Sequence, residues 1–231
     1  MRGFFLFVAT FLFPGIAFTQ KADTSQYFEG YVDYKTEFKS LMQGVSDNEV
    51  RERIGNTIRI YYGRKGFKWI FSDDAGYVRS YLITDLAANI NYTWSDDNPD
   101  TIFSFNLGSE KRITTDSISE EGIGIVAGCT CRIVKFRCLL NYEHPEFSVP
   151  GTYQYYFCPE LQLDPEPYKN VREMKWNEII STYKSVAIRI DSQFENALSA
   201  IFTAISIHRE NIDSNVFFID TSKFIKPTFV D

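Results

Sequence analysis

The feature that most constrains the fold is a series of short aromatic and β-branched runs separated by turn residues. Residues 28–38 alternate apolar with charged side chains, which predicts a long strand with one buried face. Residues 57–62 and 67–71 flank the turn residues 63–66, which predicts a hairpin. Further strands are expected over 77–84, 90–94, 102–105, 122–136, 152–157, 188–190 and 198–207, with an irregular tail around 216–219. The spacing is typical of an antiparallel sheet or barrel.

Two segments break this pattern with helical periodicity. Residues 46–49 are turn and capping residues that open a short helix ended by Gly55. A longer helix is predicted from about Asn170 to Lys184, with one apolar stripe formed by Trp176, Ile179, Ile180 and Tyr183. We therefore expect a mainly β (α+β) fold: a strongly curved antiparallel sheet or incomplete barrel, with the longer helix packed on its concave face.

The N-terminus has the order of a secretory signal peptide. Residues 1–2 carry positive charge, residues 4–13 are apolar apart from Thr10, and the small residue Ala17 follows. The apolar run is shorter than the about 20 residues needed to span a bilayer. We expect cleavage between residues 17 and 20, leaving 21–231 as a single domain with no further transmembrane segment. No cysteine precedes Cys129, so the expected product is a periplasmic or secreted protein rather than a lipoprotein.

The composition and net charge indicate which classes of binding partner are not expected. Aromatic residues make up 16% of the chain, enough to build a core, and the net charge is −6. An acidic chain is poorly suited to bind nucleic acid or an anionic membrane surface, so neither is expected as a partner.

Four cysteines in an exported chain predict disulfide bonds. If residues 122–136 and the strand from 152 form a hairpin centred between His144 and Pro145, residues whose numbers sum to 289 face each other, as Cys131 and Cys158 do. Cys129 points to the same side and competes for Cys158, whereas Cys138 pairs with Cys129 or stays free. A zinc site built from these residues and His144 would lack the usual two-to-four-residue spacing between paired ligands.

No catalytic motif stands out. The two histidines, His144 and His208, are expected on the surface, and the chain has no Gly-x-Ser-x-Gly elbow. The paired cysteines lack the two-residue gap of a redox motif. The sequence therefore predicts a protein that is not an enzyme and carries no cofactor or metal.

The second half of the chain resembles uncharacterised envelope proteins of Bacteroidota. Residues 151–170 read GTYQYYFCPELQLDPEPYKN, similar to an aromatic strand and Leu-Asp-Pro loop in those families. Residues 124–136 (GIVAGCTCRIVKF) resemble their preceding strand, and residues 202–226 (FTAISIHRENIDSNVFFIDTSKFIK) resemble their closing strand and tail. The layout is near that of the GLPGLI-type proteins, although their signature is absent. The resemblance implies the incomplete-barrel fold of the lipoprotein carriers LolA, LolB and LppX, and with it a hydrophobic cavity.

These observations predict an exported, non-catalytic domain that binds or carries a lipid, an acyl chain or a lipoprotein. Aromatic side chains supply large apolar area to a cavity, and the candidate cavity residues are Phe67, Trp69, Phe71, Trp94, Trp176 and Ile180. The alternative is a structural or protein-interaction module of the cell envelope with a filled core, docking to another envelope protein.

Overall fold

The structure, a computed structural model, describes residues 18–19, 26–108, 112–141, 148–220 and 222–228. Residues 1–17 and 20 of the predicted signal peptide, as well as His144 and Pro145, lie outside the described residues. The strands are β1 (Phe18–Thr19), β2 (Gly30–Ser40), β3 (Thr57–Gly63), β4 (Gly66–Ser72), β5 (Val78–Asp85), β6 (Ile90–Ser95), β7 (Thr101–Asn106), β8 (Ile113–Val126), β9 (Cys129–Leu140), β10 (Val149–Gln162), β11 (Ser185–Phe194), β12 (Leu198–Arg209) and β13 (Phe224–Pro227). The helices are α1 (Asp47–Ile54) and α2 (Trp176–Tyr183), with 3₁₀ turns at Glu166–Tyr168, Glu173–Lys175 and Ser214–Phe217.

Twelve strands form one sheet in the order β13-β7-β6-β5-β4-β3-β2-β12-β11-β10-β9-β8, and β1 pairs with β12. Neighbouring strands are antiparallel except for the two short parallel pairs β1–β12 and β13–β7. The predicted mainly β fold is thus confirmed, and the sheet is not closed. None of the helices in the described part of the chain is long and apolar enough to cross a membrane.

The sheet must curve strongly. In a flat sheet the ten spacings between β7 and β8 would separate these strands by roughly 48 Å. The chain passes from Asn106 to Ile113 in seven steps, which reach at most about 25 Å. The two ends of the sheet therefore approach each other between Asn106 and Ile113. Beside this connection, Leu107 O accepts hydrogen bonds from Arg172 N (2.8 Å) and Glu173 N (3.0 Å). An ion pair between Arg112 Nε and Glu173 Oε1 (2.6 Å) lies in the same region.

The core fills the inside of the curve. Along β2, the alternate residues Val32, Tyr34, Thr36 and Phe38 are buried as the sequence predicts, while the residues between them are more exposed. On α2, Ile179 and Ile180 are each 2% exposed and face the sheet. The inner face and α2 thus share one hydrophobic core.

The second helix is shorter than predicted, eight residues instead of about fifteen. Met174 and Lys175 adopt left-handed backbone angles (φ 52° and 53°), and such residues cannot continue a right-handed helix. The segment before α2 therefore forms isolated 3₁₀ turns.

The C-terminal segment covers the outer face of one end of the sheet. Lys68 Nζ donates to Val216 O (3.0 Å), and the ring of Phe217 lies where a Cβ on Gly63 would come within 2.7 Å of it. On this face Ile83 is only 1% exposed. β13 then pairs with β7, so the last described segment adds one short parallel strand to this end of the sheet.

Candidate functional site

Four of the six candidate cavity residues surround one apolar chamber between the inner face of the sheet and α2. Its volume is about 40 Å³, and the two helical candidates, Trp176 and Ile180, form its roof. The lining comprises Tyr62, Phe67, Trp69, Tyr155, Phe157, Leu163, Tyr168, Trp176, Ile180, Ser185, Val186, Ala187 and Ile190. We call this space the inner chamber. As it stands it has room for only a few water molecules.

The other two candidates lie elsewhere. Phe71 is on the same face as Trp69, with ring centroids 6.2 Å apart, but does not line the chamber. Trp94 lies on the outer face, where it stacks on Tyr81 at 5.3 Å and lies 5.5 Å from Lys223 Nζ. Alternation along a strand separates its two faces but does not say which face is inside. An aromatic residue on the covered outer face therefore cannot be distinguished, from sequence alone, from one on the inner face.

A second space, which the sequence did not reveal, lies beside the inner chamber. This outer cleft has a volume of about 280 Å³ and is lined by Tyr27, Phe28, Glu29, Tyr62, Gly63, Arg64, Leu163, Asp164, Pro167 and Tyr168. Tyr62, Leu163 and Tyr168 line both spaces and form the partition between them. The outer cleft carries charge at its rim, where Arg64 Nε lies 3.1 Å from Glu29 Oε2. The combined site is thus apolar inside and charged at its mouth.

A buried tyrosine links the strands beside the inner chamber. Tyr34 Oη donates to Ala187 O (2.6 Å), which joins β2 to β11 through the interior. Burial raises the pKa of Tyr34 and of Tyr62, so both phenols remain neutral at physiological pH.

Aromatic contacts attach α2 above the chamber. Trp176 meets Tyr155 edge to face at 5.2 Å, and Tyr183 stacks on Phe157 at 5.2 Å. Each end of α2 borders a left-handed residue other than glycine, Lys175 before it and Lys184 (φ 49°) after it. Such residues cost free energy relative to ordinary backbone and mark places where the chain can change direction. α2 is therefore a short roof between two bends.

A larger depression of about 700 Å³ lies at the far end of β8–β11. The described residues that line it include no aromatic side chain; they are Thr114, Thr115, Asp116, Arg137, Cys138, Leu139, Pro150, Gly151, Thr152, Gln193 and Glu195. Such a lining is less suited to an apolar ligand than the aromatic chamber.

The cysteines form one disulfide, between Cys129 and Cys158, with Cα atoms 6.3 Å apart. The β9–β10 ladder has the expected register, since its pairs, such as Tyr155 with Val134, sum to 289. The ladder stops at Phe157, one residue before Cys158, and there the competitor Cys129 bonds to Cys158 in place of Cys131. Cys131 remains a buried thiol, and burial raises its pKa to about 11.

Cys138 is the second buried free thiol, and burial likewise raises its pKa to about 11. One group of described residues, Cys129, Cys158 and Glu160, is compact enough to suggest a metal site. Two of its three ligand atoms are consumed by the disulfide.

One serine, one carboxylate and one histidine come together on the outer face. Ser206 Oγ donates to Asp33 Oδ2 (2.8 Å), and Asp33 also accepts from Arg59 Nε (2.6 Å). His208 stacks on Tyr31 at 4.5 Å. The serine proton therefore points to a carboxylate engaged by arginine, which differs from the Ser–His–carboxylate order of a hydrolase triad.

Comparison with known proteins gives no family assignment. The sequence matches no family model and no curated protein. Among solved structures, PNGF-II is similar over 86% of this chain, with 10% identity and a TM-score of 0.41; the chain spans only 32% of that structure. A protein from Bacteroides fragilis NCTC 9343, described as exported and as having a YmcC-like fold, is similar over 84% of this chain and 99% of its own, with 10% identity and a TM-score of 0.30.

Proposed function

We propose that this protein binds a small amphipathic ligand whose apolar end enters the inner chamber and whose polar end stays in the outer cleft. The observation that carries the proposal is that an aromatic chamber and a charged cleft share Tyr62, Leu163 and Tyr168 as a common partition. A lipid-derived acid or another acyl compound has this division of polarity.

The partition has to move for such a ligand to enter. Ligand pockets usually have volumes of roughly 300–1,000 Å³; the outer cleft approaches this range at about 280 Å³, while the inner chamber is about 40 Å³. Each methylene buried on binding contributes about 0.8 kcal/mol. Rotation of Tyr168 or displacement of α2 about Lys175 and Lys184 would extend the cleft into the chamber.

The expected location of the protein supports the proposal. The disulfide between Cys129 and Cys158 indicates an oxidising compartment, and the signal-peptide pattern predicts export. A periplasmic or extracellular binding protein for amphipathic molecules fits both. We assign no catalytic step to the site.

The experiment uses dodecanoate as the probe and tryptophan emission as the readout. Trp69 and Trp176 line the inner chamber, whereas Trp94 does not. In a Trp94→Phe variant, both remaining tryptophans line the chamber, and we expect dodecanoate to change their emission in a saturable way.

A matched pair of variants locates the site. Phe67→Leu shortens a side chain of the chamber and should alter dodecanoate affinity, whereas Phe71→Leu changes the same residue type on the same strand outside the chamber and should not. Thermal melts confirm that both variants are folded. If dodecanoate leaves the emission unchanged, or if the two variants behave alike, the proposal fails and the interaction module with a filled core is favoured.

A further inference from the structure

β8 forms one end of the sheet and, among the described residues, pairs along its length only with β9. The outer edge of such a strand presents backbone N–H and C=O groups that can pair with another strand. Proteins usually protect these edges with charges and β-bulges.

The first part of β8 has both kinds of protection. The register shifts at Asp116 and again at Glu121, which marks two irregularities in the pairing with β9. Three carboxylates, from Asp116, Glu120 and Glu121, lie in this part of the strand. Glu120 is held by Arg132 Nη2 at 2.7 Å. Addition of another strand is therefore discouraged over residues 113–121.

The last five residues of β8, which we call the edge segment (residues 122–126), have neither charges nor register shifts. Ile123 is 73% exposed and Ile125 is 78% exposed, and both lie on one face of the strand. Gly122 and Gly124 lie on the opposite face, where a Cβ on Gly124 would come within 2.9 Å of Ile133 Cδ1. The edge segment thus has two exposed isoleucines on one side, and on the other two glycines and the buried Val126.

We propose that the edge segment binds an extended segment of a partner protein, which adds to the sheet beside β8. The partner would place an apolar side chain against Ile123 and Ile125, and a lysine or arginine near Glu120 and Glu121. This surface lies outside both the inner chamber and the outer cleft, so the proposal does not depend on ligand binding.

The charge of β8 argues for a basic partner and against a second copy of this chain. β8 contains three acidic residues and no lysine or arginine. Antiparallel pairing of two copies along the whole strand would bring carboxylates towards carboxylates, and like charges on neighbouring strands are destabilising. A basic extended peptide would be attracted to the same strand.

The probe is a fluorescein-labelled peptide of about nine residues that alternates valine with lysine, a typical strand length. Fluorescence anisotropy should show binding to the protein, and the glutamate–valine counterpart should not bind. N-methylation of alternate residues along one edge of the peptide should abolish binding, because it removes the backbone donors that pair with β8.

Two aspartate variants separate strand addition from simple charge attraction. Ile125→Asp should weaken binding of the lysine–valine peptide about tenfold or more, because a solvated charge replaces the apolar contact with the peptide. Ile205→Asp, at a 55% exposed isoleucine of β12, is the matched control and should leave binding unchanged. If charge alone attracted the peptide, both variants would bind it more tightly.

The proposal is overturned if Ile125→Asp binds the peptide as well as the unmodified protein does, or if N-methylation has no effect. It is also overturned if sedimentation shows a dimer that Ile125→Asp dissociates, because the edge segment would then bind a second copy.

Discussion

Removing the disulfide should destabilise the protein by an amount that depends on which of its two cysteines is replaced. Cys129 and Cys158 are separated by 29 residues, for which the loss of loop-closure entropy in the unfolded chain gives a stabilisation of about 3.6 kcal/mol at 25 °C. Cys158→Ala leaves no sulfur on β10 and should lose all of this stabilisation.

Cys129→Ala should lose less under oxidising conditions. If the β9–β10 register continues by one pair beyond Phe157 and Arg132, Cys131 lies opposite Cys158. In an oxidising buffer these two thiols can form a replacement disulfide that closes a loop of similar length. Cys138→Ala is the control, because it deletes another buried sulfur without touching a disulfide.

The assay is urea denaturation of the three variants with and without a thiol reductant, followed by disulfide mapping by mass spectrometry. We expect Cys129→Ala to be more stable than Cys158→Ala in oxidising buffer, and the two to become equal after reduction. Equal stabilities in oxidising buffer, with Cys131 recovered in the alkylated form from Cys129→Ala, would refute the reasoning from register.

Three further outcomes follow from the buried phenols and the helix cap. Tyr34→Phe leaves the Ala187 carbonyl without its buried donor and should lower the free energy of unfolding by about 1–3 kcal/mol in urea titrations. Burial raises the pKa of Tyr34 and of Tyr155. The stabilisation that depends on these phenols being neutral is therefore fully present below their unfolded-state pKa of about 10, and it is lost as the pH rises through the folded-state pKa. Absorbance at about 295 nm should show fewer phenolates in native than in urea-unfolded protein at pH about 11. Hydrogen bonds from the Ser46 backbone and hydroxyl lower the pKa of Glu49, so Ser46→Ala should move the NMR titration of Glu49 to higher pH; an unchanged titration would contradict the capping box.

The sequence predicted those parts of the fold that local patterns determine. Alternation over 28–38 located the buried face of β2, and a hairpin centred between His144 and Pro145 predicted the register of β9 and β10. The sequence was a poorer guide to the elements whose bounds depend on tertiary packing. The positive φ angles of Met174 and Lys175 shorten α2, although neither residue is a glycine that would have signalled a bend. β13 has only four residues, one of them Pro227, and is fixed by β7.

The candidate site was predictable only in part for the same reason. Phe67 and Trp69 alternate along β4 and were recognisable as one face, and Trp176 and Ile180 share a helical stripe. The outer cleft depends on the approach of residues 27–29, 62–64 and 163–168, which are distant in the chain and carry no common motif. Trp94 was misplaced because the C-terminal segment buries a second face of the sheet.

The position of β2 between β3 and β12 determines the order in which its two edges can pair as the chain is synthesised. β2 can pair with β3 early, but its other neighbour lies about 160 residues later, so its second edge stays open until β12 has been made. Loops this long make folding slow, and unpaired edges aggregate. We therefore expect folding of the new chain to depend on chaperones that shield β2, and truncations before residue 198 to accumulate as protease-sensitive or aggregated material.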